Sequence, residues 1–401
     1  MARYIVKFGG TSVGNLDRIQ HAACIVAELA KEGHEIAVVV SAMAGMTNQL
    51  FSYANTFCDV SFSPEHDVVV SSGEQITAGL MALALQKYGL DAQSFLAWQA
   101  TILTDNNYGN ATIESIKTSS FDTHFAKKSI PVIAGFQGIT ADNRITTLGR
   151  GGSDTTAVAL AASLKADCCY IYTDVEGVYT ADPRIVQNAR KIDSIHYSHM
   201  LELAKHGAKV LHARCVELGM QHDVDLYVLS SFVKTAGTRI LNNTDNHNKC
   251  AISGITHSLN EVHIHINGES AYISLVLNEL SQNNIAIDAL VRERLSDACV
   301  LESAHFTIGK ADFEHAKTLL IAHKATNSFD LLAIDPNIVK ISIIGVGIKD
   351  QAAEMFVLKI LAENHIFVHF SYRLDIKLSL VITNDQMTKA INLLHDALII
   401  R

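Results

Sequence analysis

The stretch Thr146-Thr147-Leu148-Gly149-Arg150-Gly151-Gly152-Ser153-Asp154, running on into the apolar segment Thr155 to Leu164, decides how the chain is read. Three glycines let the backbone turn its N–H groups inward, and Ser153 or Asp154 can cap the helix that Thr155, Thr156, Ala157, Val158 and Leu160 would begin. A helix start of this kind is a place to hold an anion. Arg150 adds a planar fork of donors suited to a carboxylate or phosphate, which leaves Asp154 free to position a cation nearby. An ordinary capped helix after a glycine loop reads the same way, so the surrounding chain has to decide.

Upstream and downstream, apolar strands run into polar, glycine-containing turns. Tyr4 to Phe8 leads to Gly9-Gly10-Thr11-Ser12, and Asp17 to Lys31 has the apolar spacing of a helix. Glu35 to Val40 leads to Ser41-Ala42-Met43-Ala44-Gly45-Met46-Thr47, and Val68 to Val70 reads as a strand leading to Ser71-Ser72-Gly73-Glu74 and then a helix. Ile130 to Ala134 leads to Gly135-Phe136-Gln137-Gly138, Asp142 to Thr147 resembles a short hairpin, and Tyr170 to Tyr172 leads to Thr173 through Arg184. Strand, glycine turn, helix, strand is the grammar of an α/β domain with a mostly parallel sheet, whose ligands sit outside the carboxyl ends of the strands.

The totals restrict what such a domain can do. A chain of 401 residues with 48% hydrophobic and 18% charged residues is a folded protein of two or three domains. The net charge of -9 argues against a broad nucleic-acid or polyanion surface, so any bound anion must be met locally. Cys24, Cys58, Cys168, Cys169, Cys215, Cys250 and Cys299 form an odd set with no CxxC pair, as expected of thiols in a reducing cytoplasm. No secretory signal is evident at the N-terminus, and no apolar run approaches membrane-spanning length. The nineteen histidines show no HExxH or similar spacing, and no residue set is assigned as a metal site.

The chemistry that a set of polar strand exits can support is phosphoryl transfer, which needs mainly positioning and positive charge. Lys7, set by its strand against Gly9 and Gly10, can neutralise phosphate oxygens, although an exposed strand-end lysine would look the same in sequence. Glu74 can meet a substrate ammonium or simply favour a helix start. Asp174, Asp182 and Arg184 mix acids and a base in one loop that also reads as a solvated turn. Neither GxxxxGK[ST] nor GxSxG is present.

Taken together, Lys7 to Ser12, Ser41-Ala42 with Gly45 and Thr47, Ser72-Gly73-Glu74, Gly149 to Asp154, Thr173 to Arg184 and Gly207 to His212 resemble the ordered motif set of aspartate kinases, within the amino-acid kinase superfamily. The resemblance implies ATP-dependent phosphorylation of the side-chain carboxylate of L-aspartate to 4-phospho-L-aspartate, at the head of lysine, threonine and methionine synthesis. It implies that Arg150 clamps the substrate α-carboxylate and Glu74 meets its ammonium, with Ser41, Ala42, Thr47, Phe136, Gly151 and Ser153 shaping the pocket. Lys7 would stabilise the transferring phosphoryl, and Asp154 would orient Lys7. Lys7, Gly9, Gly10, Thr173, Asp174, Tyr179, Arg184 and Lys209 would hold ATP, whose phosphates need Mg2+. No general base is required, because a carboxylate is already a nucleophile at neutral pH.

The catalytic domain is expected over 1–240, since the chain turns polar from about Ser231 to Lys249. Beyond it, Glu261 to Ile334 spells β-α-β-β-α-β, and Val339 to Leu398 spells the same order without a last strand. An edge lacking its strand would expose unpaired backbone groups, so Ala251 to Thr256 is the natural filler. The expected units are therefore 257–336, inserted, and 250–256 with 337–401. The resemblance implies that these are two ACT modules, able to bind an amino-acid effector such as lysine or threonine and to pair subunits into a homodimer. A purely structural pairing role is the plainer alternative. Two other readings of the whole chain stand beside the enzyme: an amino-acid kinase with a different acceptor, and a catalytically silent amino-acid sensor.

Overall fold

The computed structural model describes residues 1–57, 63–208, 210–242, 251–295, 301–324 and 329–399. These fall into two compact units, Met1–Val178 with Lys191–Lys205 and Lys209–His247, and Tyr179–Arg190 with His206–Ala208 and Asn248–Arg401.

In the first unit an eight-stranded sheet has the order Ser194–His196, Thr238–Leu241, Leu226–Ser230, Cys168–Thr173, Arg3–Phe8, Glu35–Val40, Ile130–Ala134, Ala92–Phe95. All neighbours are parallel except Leu226–Ser230 with Thr238–Leu241. Arg3–Phe8 lies inside the sheet, with Ile5, Val6 and Phe8 sealed from solvent, which accounts for the near-continuous apolar run of a strand buried on both faces. A second, four-stranded sheet joins Ile113–Ile116, Ile102–Thr104, Gln137–Ile139 and Ile145–Thr147, and its Gln137–Ile139 and Ile145–Thr147 pair is the hairpin that feeds the glycine turn.

Three local expectations need correction. Val68 to Val70 is not a strand, because Pro64–Lys87 is one continuous helix of 24 residues. Ser63 caps it by accepting from the His66 N–H, Pro64 occupies the first turn, and Glu65 and Asp67 favour its positive end. Those signals outweigh three valines, each of which lowers helix preference by only about 0.5 kcal/mol. In length and hydropathy this helix also matches a membrane span, contrary to the expectation that no apolar run approaches that length. It is a core helix, with Val70, Met81 and Leu85 fully buried and Asp67 and Glu74 hydrogen-bonded inside the unit. The helix after the glycine turn runs Gly152–Leu164, and neither Ser153 nor Asp154 caps it. Gly151 holds the cap position with a left-handed φ of 70°, which puts Ser153 and Asp154 in the first turn.

The second unit contains two four-stranded antiparallel sheets. Ile287–Arg294, Leu301–Gly309, Glu261–Glu269 and Phe329–Asp335 form one, with the helices Ser270–Gln282 and Phe313–Lys324. Gly254–Ser258, Ile338–Ile344, Lys377–Thr383 and Val368–Leu374 form the other, with Gln351–Glu363 and Met387–Leu398. The edge beside Ile338–Ile344 is filled by Gly254–Ser258, from Gly254 opposite Ile344 to Ser258 opposite Lys340. Tyr179–Arg190 groups with this unit because its apolar residues are needed there. Ala181 and Val186 join Ile341, Ile343, Leu380 and Ile391 in one core, and Thr180 accepts from the Ile255 N–H at 2.7 Å.

Candidate active site

Lys7 is the penultimate residue of its strand, in register with Val39 on one side and Ile171 on the other. That position carries its ammonium to the carboxyl edge of the sheet, where it is 6% exposed and paired with Asp154. Asp154 comes from the first turn of Gly152–Leu164, so the glycine turn and the opening strand meet through an ion pair. A buried lysine is tolerated because it is paired.

Glu74 projects from the middle of Pro64–Lys87 and is 3% exposed. Its Oε1 accepts the Ala42 N–H at 3.0 Å, while Oε2 is buried with no hydrogen-bond partner among the described residues. Burial pushes its carboxyl up to about 7, against the pull of the Ala42 N–H and Lys7. The close approach of this helix depends on Gly73, where a Cβ would stand 2.7 Å from the Ala42 Cβ.

Phe136 follows Ile130–Ala134 with φ 69°, an uncommon backbone state for a bulky residue, and its N–H donates to Thr156 Oγ1 at 3.1 Å. The ring lies against Gly152, where a Cβ would come within 2.7 Å of Phe136 Cδ2. Gly149 and Gly151 both have φ near 70°, and Arg150 between them is exposed.

These groups surround one cleft of about 1080 Å³. Lys7, Gly10, Ser41, Ala42, Thr47 and Glu74 line it from the strand exits and the helix. Phe136, Arg150, Gly151, Ser153 and Asp154 line it from the other side. Lys7 and Arg150 therefore share a cavity, which neither residue's sequence context alone required. Gly9 stands behind Lys7, its N–H donating to Tyr172 O at 2.9 Å; Thr173 ends that neighbouring strand and Asp174 follows it. Neither Thr173 nor Asp174 lines the cleft. Tyr179 and Arg184 belong to the second unit, where Arg184 makes a two-pronged bond to Asp182. Lys209 lies outside the described residues.

The sequence reading missed Asn48, Phe51, Gly109 and Asn110, which also line the cleft. Asn48 and Phe51 share a face of the helix Met46–Asn55 with Thr47, a spacing that was legible once the helix was placed. Gly109 and Asn110 close the stretch Asp105-Asn106-Asn107-Tyr108-Gly109-Asn110, whose composition marks a turn but not a place in the cleft. Among the described residues there is no group of three or more His, Cys, Asp or Glu side chains able to hold a metal ion. Chemically, the cleft offers a buried ammonium, an unpaired carboxylate oxygen and an exposed guanidinium, a set complementary to a small zwitterion and a phosphate.

The pattern of the Amino acid kinase family matches residues 2–230. An aspartokinase of Rickettsia felis is 44% identical, over 98% of this chain and 98% of its own length. Aspartokinase 2 of Bacillus subtilis is 40% identical over 99% of this chain and 98% of its own. Among solved structures, E. coli aspartokinase III in complex with aspartate and ADP has the same fold, with a TM-score of 0.80 at 23% identity, covering 99% of this chain and all of that one. With its family pattern, its full-length relatives and its fold in agreement, the chain belongs to the amino acid kinase family as one of the aspartokinases.

Proposed function

We propose that this aspartate kinase transfers the γ-phosphoryl of ATP to the side-chain carboxylate of L-aspartate, giving 4-phospho-L-aspartate for lysine, threonine and methionine synthesis. The observation that carries the reading is one cleft holding the Lys7–Asp154 pair, the unpaired Glu74 Oε2 and the exposed Arg150 guanidinium. Arg150 takes the α-carboxylate of aspartate and Glu74 its ammonium, so the side-chain carboxylate is the end left free to react. Ser41, Ala42, Thr47, Phe136, Gly151 and Ser153 form the walls that hold it. Lys7 neutralises charge on the transferring phosphoryl, and Asp154 keeps the ammonium aimed there. The attacking oxygen is ionised at neutral pH and needs no base.

The nucleotide is held from Gly9, Gly10, Thr173, Asp174 and Lys209. Mg2+ fits this arrangement as an ion carried mainly by the ATP phosphates, since the described residues supply isolated carboxylates such as Asp174 and no protein cage. When bound, it would offset phosphate charge. The same reading sets the reaction in the cytoplasm, where Cys24, Cys168, Cys169 and Cys215 remain free thiols.

We further propose the division expected from sequence: a catalytic domain over 1–240, an inserted ACT unit over 257–336, and a second ACT unit from 250–256 with 337–401. E. coli aspartokinase III has been solved with lysine and aspartate, in a structure of TM-score 0.75 to this chain. A free amino acid, lysine or threonine, is the effector assigned to the ACT units here, which also pair two chains into a dimer. The deciding experiment traps the acyl phosphate with hydroxylamine, offering ATP, Mg2+ and L-aspartate beside L-glutamate and N-acetylglutamate. Aspartyl hydroxamate is the expected product, and its absence sinks the reading.

A further inference from the structure

Asp67 lies two helical turns before Glu74 on Pro64–Lys87 and is completely buried. Its Oδ2 accepts the Thr147 N–H at 2.7 Å and the Gly109 N–H at 2.9 Å, and its Oδ1 accepts the Thr147 hydroxyl at 2.9 Å. One carboxylate thus ties the strand that ends in the glycine turn to the neighbouring loop at Gly109–Asn110, which also lines the cleft. The two rims also touch directly. Ala111 donates to Thr147 O at 2.9 Å, and a Cβ on Gly149 would stand 2.9 Å from Asn110 Oδ1. From the more exposed side, the Arg214 guanidinium donates to Leu148 O at 3.0 Å, Ala111 O at 2.6 Å and Thr112 Oγ1 at 3.0 Å.

Neither Asp67 nor Arg214 lines the cleft. Burying a carboxylate is costly, and an apolar residue would secure the helix better, so the bonds that Asp67 makes are what its placement gains. Both of its N–H donors lie within two residues of groups that face the cleft. Arg150 itself is long and exposed, so where its guanidinium can reach depends on where its backbone is held.

We propose that Asp67 and Arg214 are positioning residues, clamping the rims at Gly109–Asn110 and Thr147–Leu148 so that the glycine turn presents Arg150 to the carboxylate of aspartate. The proposal rests on the assignment of Arg150 to that carboxylate. Steady-state kinetics of the full chain test it with Asp67→Ala, Asp67→Asn, Arg150→Ala and the Asp67→Ala/Arg150→Ala double variant. Asp67→Ala should raise the aspartate KM about tenfold while kcat and the ATP KM stay within about twofold. Asp67→Asn keeps an oxygen for both N–H groups and can donate to the Thr147 hydroxyl, so it should bring the aspartate KM back to within about threefold of the parent. The double variant should have no higher an aspartate KM than Arg150→Ala, because nothing is left for the clamp to aim.

An unchanged KM in Asp67→Ala beside a raised one in Arg150→Ala overturns the clamp and leaves the Arg150 assignment standing. Independent, multiplying shifts in the double variant overturn it too. An unchanged KM in Arg150→Ala removes the assignment itself, and with it the route through Arg150. If Asp67→Ala does not fold, Arg214→Met reaches the same rim from outside and should raise the aspartate KM about threefold; no change there overturns the proposal.

Discussion

Lys7 and Lys340 each sit on an inner strand of a sheet, and each is nearly sealed from solvent, at 6% and 2% exposure. Their surroundings differ in one respect. Lys340 is matched by two carboxylates, Glu261 at 2.7 Å and Asp288, and burial of Asp288 is overcome by Lys340, so that carboxyl stays below its ordinary range. Among the described residues Lys7 is ion-paired with one carboxylate, Asp154, and faces an open cleft that Glu74 also lines. A buried cation whose charge is fully met holds strands together, whereas one that is half met keeps attraction in reserve for a ligand.

Among variants that test this difference, Lys7→Ala should have the strongest consequence. It should lower kcat on the order of a thousandfold with the circular dichroism spectrum retained, because the ammonium is used in the transition state more than in the fold. Near-normal turnover would put Lys7 in the same class as Lys340. Removing Lys340 should act on stability instead. Lys340→Ala leaves the half-buried Glu261 and the more exposed Asp288 without their cation and should cost about 2 kcal/mol in urea unfolding, with aspartate KM unchanged. A stability loss under about 1 kcal/mol would show that the second unit does not depend on that pair.

The smallest effect is graded with pH. Glu74 is raised to about 7 by burial, so the free protein keeps a proton there that the unfolded chain sheds near its ordinary value. The stability this proton contributes is fully present below the ordinary carboxylate range and is lost as pH rises through about 7. An ammonium ligand selects the ionised form, so the aspartate KM should rise about tenfold per pH unit below that value. Glu74→Gln should flatten the profile, and a KM independent of pH between 5.5 and 8 in the parent would remove Glu74 from ammonium recognition.

Much of the fold was legible because it depends on local pattern. Glu35–Val40 has in the structure the limits that its apolar run gave it. The strand at Gly254–Ser258 was anticipated by a tally of sheet edges, since an unpaired edge is costly wherever it occurs. Val68 to Val70 misled because three β-branched residues in a row outvoted a Ser63-Pro64 helix start, a weak signal in sequence that burial of the helix later reinforced. The residues around Tyr179 and Arg184 read as one loop with Thr173 and Asp174, yet Ala181 and Val186 draw them into the core of the second unit. Spacing along the chain does not record which core an alanine and a valine will fill.

The residue types needed for the chemistry, a strand-end lysine, a helix acid, and an arginine between two glycines, were set by the sequence alone. Whether those groups share a cavity was decided only by the tertiary structure. Lys7 and Arg150 are far apart along the chain, and their meeting in one cleft depends on parallel register, on the left-handed turns at Gly149 and Gly151, and on Asp67 binding two rims at once. Local energetics choose elements one stretch at a time, whereas a site is made of long-range contacts whose partners no stretch contains.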